Sequence, residues 1–286
     1  MRWIILLLLS LMTCSLCLAK NLVRYHGAVS GANPYEAYYA ALLNRALSET
    51  QSEFGGFDLK PVYTNFSQGR SVAALQQGKV FDVIWTMTSI DREEELLPVR
   101  IPLLKGLMGY RLFLIPKGKQ YKFDRITSLD QLKQMTCGQS IDWPDTKILL
   151  DNGFRLVTAP ADSLISMLKA GRFEYFPRGV QEIWGELASH LELEVERRLM
   201  LHYPAPMYFF VNKNNTNLAD RLTIGLQRAI DNGGFDELFE FHKVAYQIYE
   251  KANLAERFVL PIDNPQLTEI SRRIALREEF QLKPAN

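Results

Sequence analysis

Three arginines carry the strongest ligand chemistry in the sequence: Arg92, Arg100 and Arg178. A guanidinium presents a planar fork of donors that matches a carboxylate or phosphate bidentately, and it keeps its charge when water is removed. Each shielded hydrogen bond of that kind contributes about 1.5–3 kcal/mol. Arg92 follows Thr88 and Ser89, whose hydroxyls can donate to a ligand beside it or cap a turn. It can also pair with Glu93–Glu95. Arg178 stands between a strand end and a helix start, where backbone N–H groups favour anions, and Glu182 is its nearby salt-bridge partner. Trp143, in a proline turn, suits either stacking on a ligand or internal packing. Asp145 suits a helix cap or a ligand contact. Catalytic signatures are thin: there is no G-x-S-x-G, no H-E-x-x-H and no Cys/His pair at metal-ligand spacing. No cofactor and no metal are expected. Glu182 is the candidate acid/base if the chain is an enzyme.

The elements that must position these side chains repeat. Ser71–Trp85 (SVAALQQGKVFDVIW) and Leu164–Phe176 (LISMLKAGRFEYF) share an amphipathic helix, a glycine, a basic residue and a strand. Aligned on the glycines, Val72 matches Ile165, Leu75 matches Leu168, Gly78 matches Gly171 and Lys79 matches Arg172. Each copy runs out into a loop carrying an arginine, Arg92 or Arg178. In open α/β sheets ligands sit at the carboxyl ends of strands, so two such units would offer two arginine loops to one cleft.

The first nineteen residues read as a cleavable secretory signal. Arg2 gives a positive start, Trp3–Leu18 is almost wholly apolar, and Cys17-Leu18-Ala19 ends in small residues. Thr13 before Cys14 and Leu18 after Cys17 make a poor lipidation signal. Removing Arg2 from the 33 basic residues leaves 32, against 32 acidic. A near-zero balance argues against nucleic acid as partner. Of the three cysteines only Cys137 lies beyond the signal, so no internal disulfide is expected and Cys137 reads as a buried small hydrophobe.

Along the rest of the chain helices and strands alternate, which implies mostly parallel sheets. Strands are expected at Asn21–His26, Phe57–Tyr63, Val80–Trp85, Tyr110–Ile115, Leu156–Ala159, Arg172–Phe176 and Ala205–Asn212. Helices are expected at Tyr35–Thr50, Ser67–Gly78, Ser128–Met135, Thr146–Asn152, Ser163–Ala170, Val180–His190, Asn217–Asn232 and Phe235–Tyr249, with a last one near Thr268–Phe280. Asp145 and Asp162 are the expected N-caps of two of them, and Glu194–Tyr203 reads as strand or irregular.

This order resembles the bilobal extracytoplasmic solute-binding proteins of the family 3 type, the amino-acid-transport group, over nearly all of the chain after the signal. Asp82-Val83-Ile84-Trp85-Thr86-Met87-Thr88-Ser89-Ile90-Asp91-Arg92 is similar to that family's strand and T-x-T-x-x-R segment, with Ser89 in place of a threonine. Val99-Arg100-Ile101-Pro102-Leu103 stands where the family has its apolar turn. Tyr110–Ile115 resembles the crossing strand, Met207–Asn212 the return strand, and Ile224–Phe241 the closing helix. The resemblance implies that Arg92 holds a ligand carboxylate and that Tyr35, Tyr38 or Tyr39 supplies a lid aromatic, although periodicity places Tyr39 in a core. Phe176-Pro177-Arg178-Gly179 departs from the family, which has a carboxylate there for a ligand ammonium.

The expectation is therefore an α/β, two-lobed periplasmic-binding-protein-like fold, residues 20–111 with 208–286 forming one lobe and 112–207 the other, joined by hinge strands. It would be a periplasmic monomer that closes over a small anionic or zwitterionic, carboxylate-bearing ligand for transport or sensing. The contacts would come from Arg92, Arg178, Arg100, Ser89, Thr88, Trp143, Asp145 and Tyr35, and the partner would be an inner-membrane permease or a sensor. The alternatives are a dehydratase- or lyase-like enzyme using Glu182, or a ligand-free signalling domain whose cleft is plugged by its own side chains.

Overall fold

Alternating apolar residues build the first sheet with two different faces. The computed structural model describes residues 21–27, 34–242 and 251–280, so the signal and the far end of the Phe235–Tyr249 helix lie outside the described residues. The chain opens with β1 (Asn21–Gly27), α1 (Pro34–Ser48), α2 (Gln51–Phe54), β2 (Phe57–Tyr63), α3 (Gln68–Gln76), β3 (Val83–Met87), α4 (Ile90–Glu95) and β4 (Leu96–Val99). It continues through β5 (Tyr110–Pro116), α5 (Leu129–Lys133), β6 (Thr136–Ser140), α6 (Pro144–Asp151), β7 (Arg155–Ala159), α7 (Ala161–Lys169), β8 (Phe176–Gly179) and α8 (Ile183–Ala188). It closes with β9 (Leu193–Val195), β10 (Leu199–His202), β11 (Met207–Asn212), α9 (Thr216–Asp231), α10 (Gly234–Phe241), β12 (Phe258–Pro261) and α11 (Glu269–Ala275).

The first sheet has the order β2-β1-β3-β11-β4. Val83 of β3 and Phe209 and Val211 of β11 point into the core that holds Leu42, Leu43 and Leu47 of α1 and Leu222 and Leu226 of α9. Ile84, Tyr208 and Phe210, one residue out of phase, pack instead with Val72 and Leu75 of α3. That is the period of two expected of a strand covered on both faces. The second sheet has the order β12-β10-β5-β8, with β9 also on β5, and β6-β7 form a parallel pair beside it. A parallel bridge from Cys137 to Tyr175 joins that pair to the start of β8.

Both large sheets are mixed. β1 is parallel to β2 and β3, whereas β11 is antiparallel to β3 and β4 because it returns from the second sheet. One strand pairs across the expected division of the chain. β12 lies within 208–286 but pairs in parallel with β10 of the second sheet.

Several local expectations are corrected. Asp145 does not cap α6: Trp143 is the N-cap residue, Pro144 starts the helix and Asp145 lies inside its first turn. Asp162 likewise lies inside α7, behind Pro160. Pro144 takes the first helical position, where its fixed φ suits the helix, and Pro160 takes the N-cap position of α7 itself, so neither aspartate is placed to cap. The strand expected at Arg172–Phe176 is shifted to Phe176–Gly179, and the helix expected at Val180–His190 shortens to Ile183–Ala188.

The repeated phrase is repeated in structure. Gly78 has φ 67° and Gly171 has φ 68°, a left-handed conformation that glycine takes without strain. Each amide donates to the leucine three residues back, Leu75 or Leu168, and both leucines are fully buried.

Candidate functional site

Six segments, β11 among them through Met207, converge on a cavity of about 220 Å³ at the carboxyl end of the first sheet. The first turn of α1 brings Tyr35 and Glu36, and Tyr39 follows one turn later on the Tyr35 side. β1 contributes His26, β3 contributes Trp85 and Thr86, and α3 contributes Gln68 and Ser71. From the second sheet's side, Gln181 and Glu182 come from the turn before α8. Tyr39 and Trp85 pack with ring centroids 5.3 Å apart, so one wall is aromatic. No lysine or arginine among the described residues lines this cavity.

The electrostatics follow from burial. Loss of water pushes the Glu36 carboxyl up to about 7. The Tyr35 and Tyr39 phenols are held above their ordinary range by burial first and then by the charge of Glu182. Burial lowers His26, partly offset by a backbone hydrogen bond at Thr64, and its ring packs 5.2 Å from Phe81. The cavity therefore carries negative or neutral groups.

The expected site residues distribute as follows. Tyr35 lines the cavity. Arg92 is buried directly behind it: Nη1 donates to Thr86 Oγ1 at 2.5 Å and to the Met87 carbonyl at 2.7 Å, and Nη2 donates to Gln68 Oε1 at 2.5 Å and to the Asp142 carbonyl at 3.3 Å. Its guanidinium thus fixes two cavity residues, Thr86 and Gln68, and desolvation brings its pKa down to about 10. Arg178 is clamped. Nε and Nη2 donate to Glu186 at 2.6–2.8 Å, Nη2 lies 3.2 Å from Glu182, and the guanidinium sits 4.5 Å over the Trp143 ring. Opposed to the cost of burial, these two carboxylates hold Arg178 charged.

The remaining candidates all have partners within the protein, and two of them, Ser89 and Trp143, also line a second cavity of about 470 Å³ together with Arg92. Arg100 pairs with Glu93 at 2.7 Å, and the Thr88 hydroxyl donates to the same carboxylate at 2.7 Å. Ser89 caps α4 by accepting the Arg92 N–H at 3.2 Å. Trp143 stacks at 13° on Phe176 with centroids 6.3 Å apart, beneath Arg178. Asp145 pairs with the fully buried Arg111 at 2.7 Å and accepts the Tyr203 hydroxyl. Glu182 does reach the cavity, where one carboxylate oxygen accepts the Gly179 N–H at 3.1 Å.

Sequence reasoning missed Glu36, His26, Gln68, Trp85 and Gln181. Glu36 offers the clearest lesson. A carboxylate in a helix's first turn has an ordinary reading there, as a partner of the helix dipole. The available signal was its place between Tyr35 and Tyr39, directly after a Gly/Ser/Asn loop.

No family model matches the sequence, and no curated protein matches it significantly. The class is defined by shape: the chain has the two-lobed α/β fold of substrate-binding proteins of amino-acid ABC transporters. Among solved structures, it is similar to a Salmonella typhimurium periplasmic binding protein of high arginine specificity, with TM-score 0.59 and 17% identity over 77% of this chain and 98% of that one. An ancestral arginine-binding protein bound to arginine gives TM-score 0.57 and 17% identity over 78% and 98%. An ancestral amino-acid-binding protein described as a precursor of cyclohexadienyl dehydratase gives TM-score 0.55 and 15% identity over 77% and 95%.

Proposed function

We propose that this is a solute-binding protein of the periplasm, working with a membrane permease or a sensor, whose cleft cavity receives the positively charged end of a small organic molecule. The observation that carries the reading is the pair of carboxylates, Glu36 and Glu182, set beside Tyr35, Tyr39 and Trp85 in a cavity lined by no cationic side chain among the described residues. Carboxylates satisfy an ammonium or guanidinium directly, and aromatic faces add about 0.5–2 kcal/mol of cation–π attraction. Two proteins of the same fold, one of high arginine specificity and one bound to arginine, agree with this choice. Of the anionic and zwitterionic ligands expected from sequence, a purely anionic one has little to meet, because Arg92 and Arg178 are already satisfied from within.

The two sheets would move as two bodies about the segments that cross between them, and the ligand would favour the closed state through contacts to both sides. A thermal-shift panel of cationic, neutral and acidic small molecules tests this. The expected result is stabilisation by amines or guanidines in the wild type and its loss in Glu36→Gln. Stabilisation by dicarboxylates alone would remove the reading.

One observation favours a second reading. Glu36 keeps a proton close to neutrality inside the cavity, as a general acid must, and a precursor of a dehydratase shares the fold. In that enzyme Glu36 rather than Glu182 would donate the proton, since Glu182 is bound by Arg178. Turnover of a bound ligand that Glu36→Gln abolishes would decide for it.

A further inference from the structure

Two buried oxygens at the cavity of Glu36 and Glu182 lack a partner. Gln181 lines that cavity from the second sheet's side and is 0% exposed. Its Oε1 has no hydrogen-bond partner among the described residues. Ser71 lines the cavity from α3, on the first sheet's side, and its buried Oγ is likewise unpartnered there. Such groups are exceptions in a folded chain, because a polar atom shut away from water without a hydrogen bond is destabilising. Here two of them fall at one cavity, on opposite sides of the cleft.

Chemistry sets the direction of the Gln181 amide. Its Nε2 donates to Met108 Sδ at 2.9 Å. A thioether is a weak acceptor and donates nothing, so turning the amide over would set its carbonyl against the sulfur lone pairs. The carbonyl is therefore the end left free. It stands beside a carboxylate: the position that a Cβ on Gly179 would take is 2.9 Å from Gln181 Oε1 and 2.9 Å from Glu182 Oε2. That carboxylate oxygen accepts the Gly179 N–H and keeps further acceptor capacity. The cavity thus sets a carbonyl and a carboxylate side by side, with a hydroxyl opposite.

The aromatic wall does not choose among cations, since rings attract a quaternary ammonium as well as a primary one. The acceptors do choose, because only a hydrogen-bond donor satisfies them. We propose that Gln181 is a specificity-determining residue: its Oε1, with Glu182 beside it and Ser71 opposite, accepts N–H groups of the ligand, so that the cavity takes primary amines or guanidines and refuses their fully alkylated counterparts. This rests on the cationic reading of the cavity given above and names the ligand class more narrowly. A quaternary ammonium meets the same charge and the same rings, yet leaves the carbonyl without a donor, and a site built to hydrogen-bond an N–H rejects an analogue that lacks it. Because Gln181 and Ser71 belong to opposite sides of the cleft, a ligand that donates to both also favours the closed state.

Calorimetric titration of the full chain with butylamine and with butyltrimethylammonium tests it, since both carry one positive charge and only the first has N–H groups. The wild type should bind butylamine at least about tenfold more tightly. Gln181→Met keeps the length of the side chain and removes its carbonyl, so it should close that gap, and Ser71→Ala should narrow it. In urea denaturation without ligand, Gln181→Met should also raise the midpoint, because an unpaired carbonyl has gone; a residue needed only for packing would lower it. Equal binding of both ligands by the wild type would overturn the proposal. So would a gap that survives Gln181→Met, which would be a matter of ligand size. Should that variant not fold, Ser71→Ala decides, and an unchanged gap there counts against the proposal. If neither cation binds the wild type, the cationic reading of the cavity fails on its own. Thermal melting in acetamide against dimethylacetamide then asks whether the two oxygens call for a donor: stabilisation by acetamide alone supports it, and equal action of the two amides overturns it.

Discussion

The two arginine loops began as copies and ended as opposites. In both, a helix stops at a left-handed glycine and a strand starts five residues later, at Val83 after Gly78 and at Phe176 after Gly171. Beyond that point they diverge. Arg92 lies among neutral oxygens and holds cavity residues by hydrogen bonds. Arg178 lies between two carboxylates and two aromatic rings. β3 is central in its sheet, with parallel and antiparallel neighbours, so its end opens onto the cleft. In the second sheet β8 is a terminal strand, paired there with β5 alone among the described residues, and α8 folds back over it to deliver Glu186. The lesson is that the same residue type at the end of the same motif meets neutral, cavity-lining side chains in one half and a pair of carboxylates in the other. What decides is where the next acidic side chains fall.

The clamp should therefore break hardest. Glu186→Ala leaves the buried Arg178 with only the longer contact to Glu182, and we expect a loss of about 3 kcal/mol, the scale for orphaning one member of a buried pair. Chemical denaturation measures it. Replacing Arg178 and Glu186 together by Met and Leu should cost far less, because the only charge then left without its partner is Glu182, which is 26% exposed and still accepts the Gly179 N–H. Equal losses in the single and double variants would show that packing, not charge, holds this region.

Arg92→Leu should be milder for stability. Thr86, Gln68 and the Met87 and Asp142 carbonyls each lose a donor, at a combined cost of about 1–3 kcal/mol where the cavity can rehydrate Thr86 and Gln68. Its distinctive effect should be on binding, since Gln68 and Thr86 line the cavity. Ligand affinity should fall with the stability loss accounted for, and Arg178→Met should not reproduce that fall.

Much of this architecture was legible before any coordinates. The helix–glycine–basic phrase placed α3 and α7, because glycine at a helix end and leucine on a regular stripe act locally. The strands β1, β2, β5 and β11 were readable, the last two as apolar runs. β4 and β12 were not, being four residues each and interrupted or ended by Pro98 and Pro261. Their pairing is decided by distant strands, β11 and β10. The site was legible only in part. Glu182 stood four residues after Arg178 and could be weighed as a partner. Glu186, eight residues on, became one only through the packing of α8. Arg92 was readable as important, but not as already satisfied, because Gln68 and Asp142 are 24 and 50 residues away.

A pH comparison sharpens the cavity side. The folded-state pKa of Glu36 lies above its ordinary value, so its contribution to stability is fully present below pH 4.5 and lost as pH rises through about 7. The wild type should therefore lose stability relative to Glu36→Gln over that window, read from denaturation midpoints. Cation affinity should move the other way, rising through about pH 7 as Glu36 gives up its proton, and Glu36→Gln should flatten that rise. A wild type and variant with parallel profiles would mean that Glu36 is not the group titrating in the cavity.

The smallest effect is expected at Arg100, the third arginine of the sequence, and it bounds the comparison from below. Its side chain is 33% exposed, whereas its partner Glu93 is 3% exposed. Removing the arginine does not orphan the carboxylate. Glu93 still accepts from Thr88 at 2.7 Å, Ser271 at 2.5 Å and Thr268 at 3.0 Å, and these hydroxyls join α4 to α11. Arg100→Ala should therefore cost about 0.5–1 kcal/mol, the range of an exposed pair, and should leave ligand affinity unchanged. Thr88→Val should cost at least as much, because it takes a donor from the buried side of the same carboxylate. If Arg100→Ala instead lowered affinity as Arg92→Leu does, the arginine that looks most peripheral would have to act on the cleft, and the division between a binding loop and structural arginines would fail there.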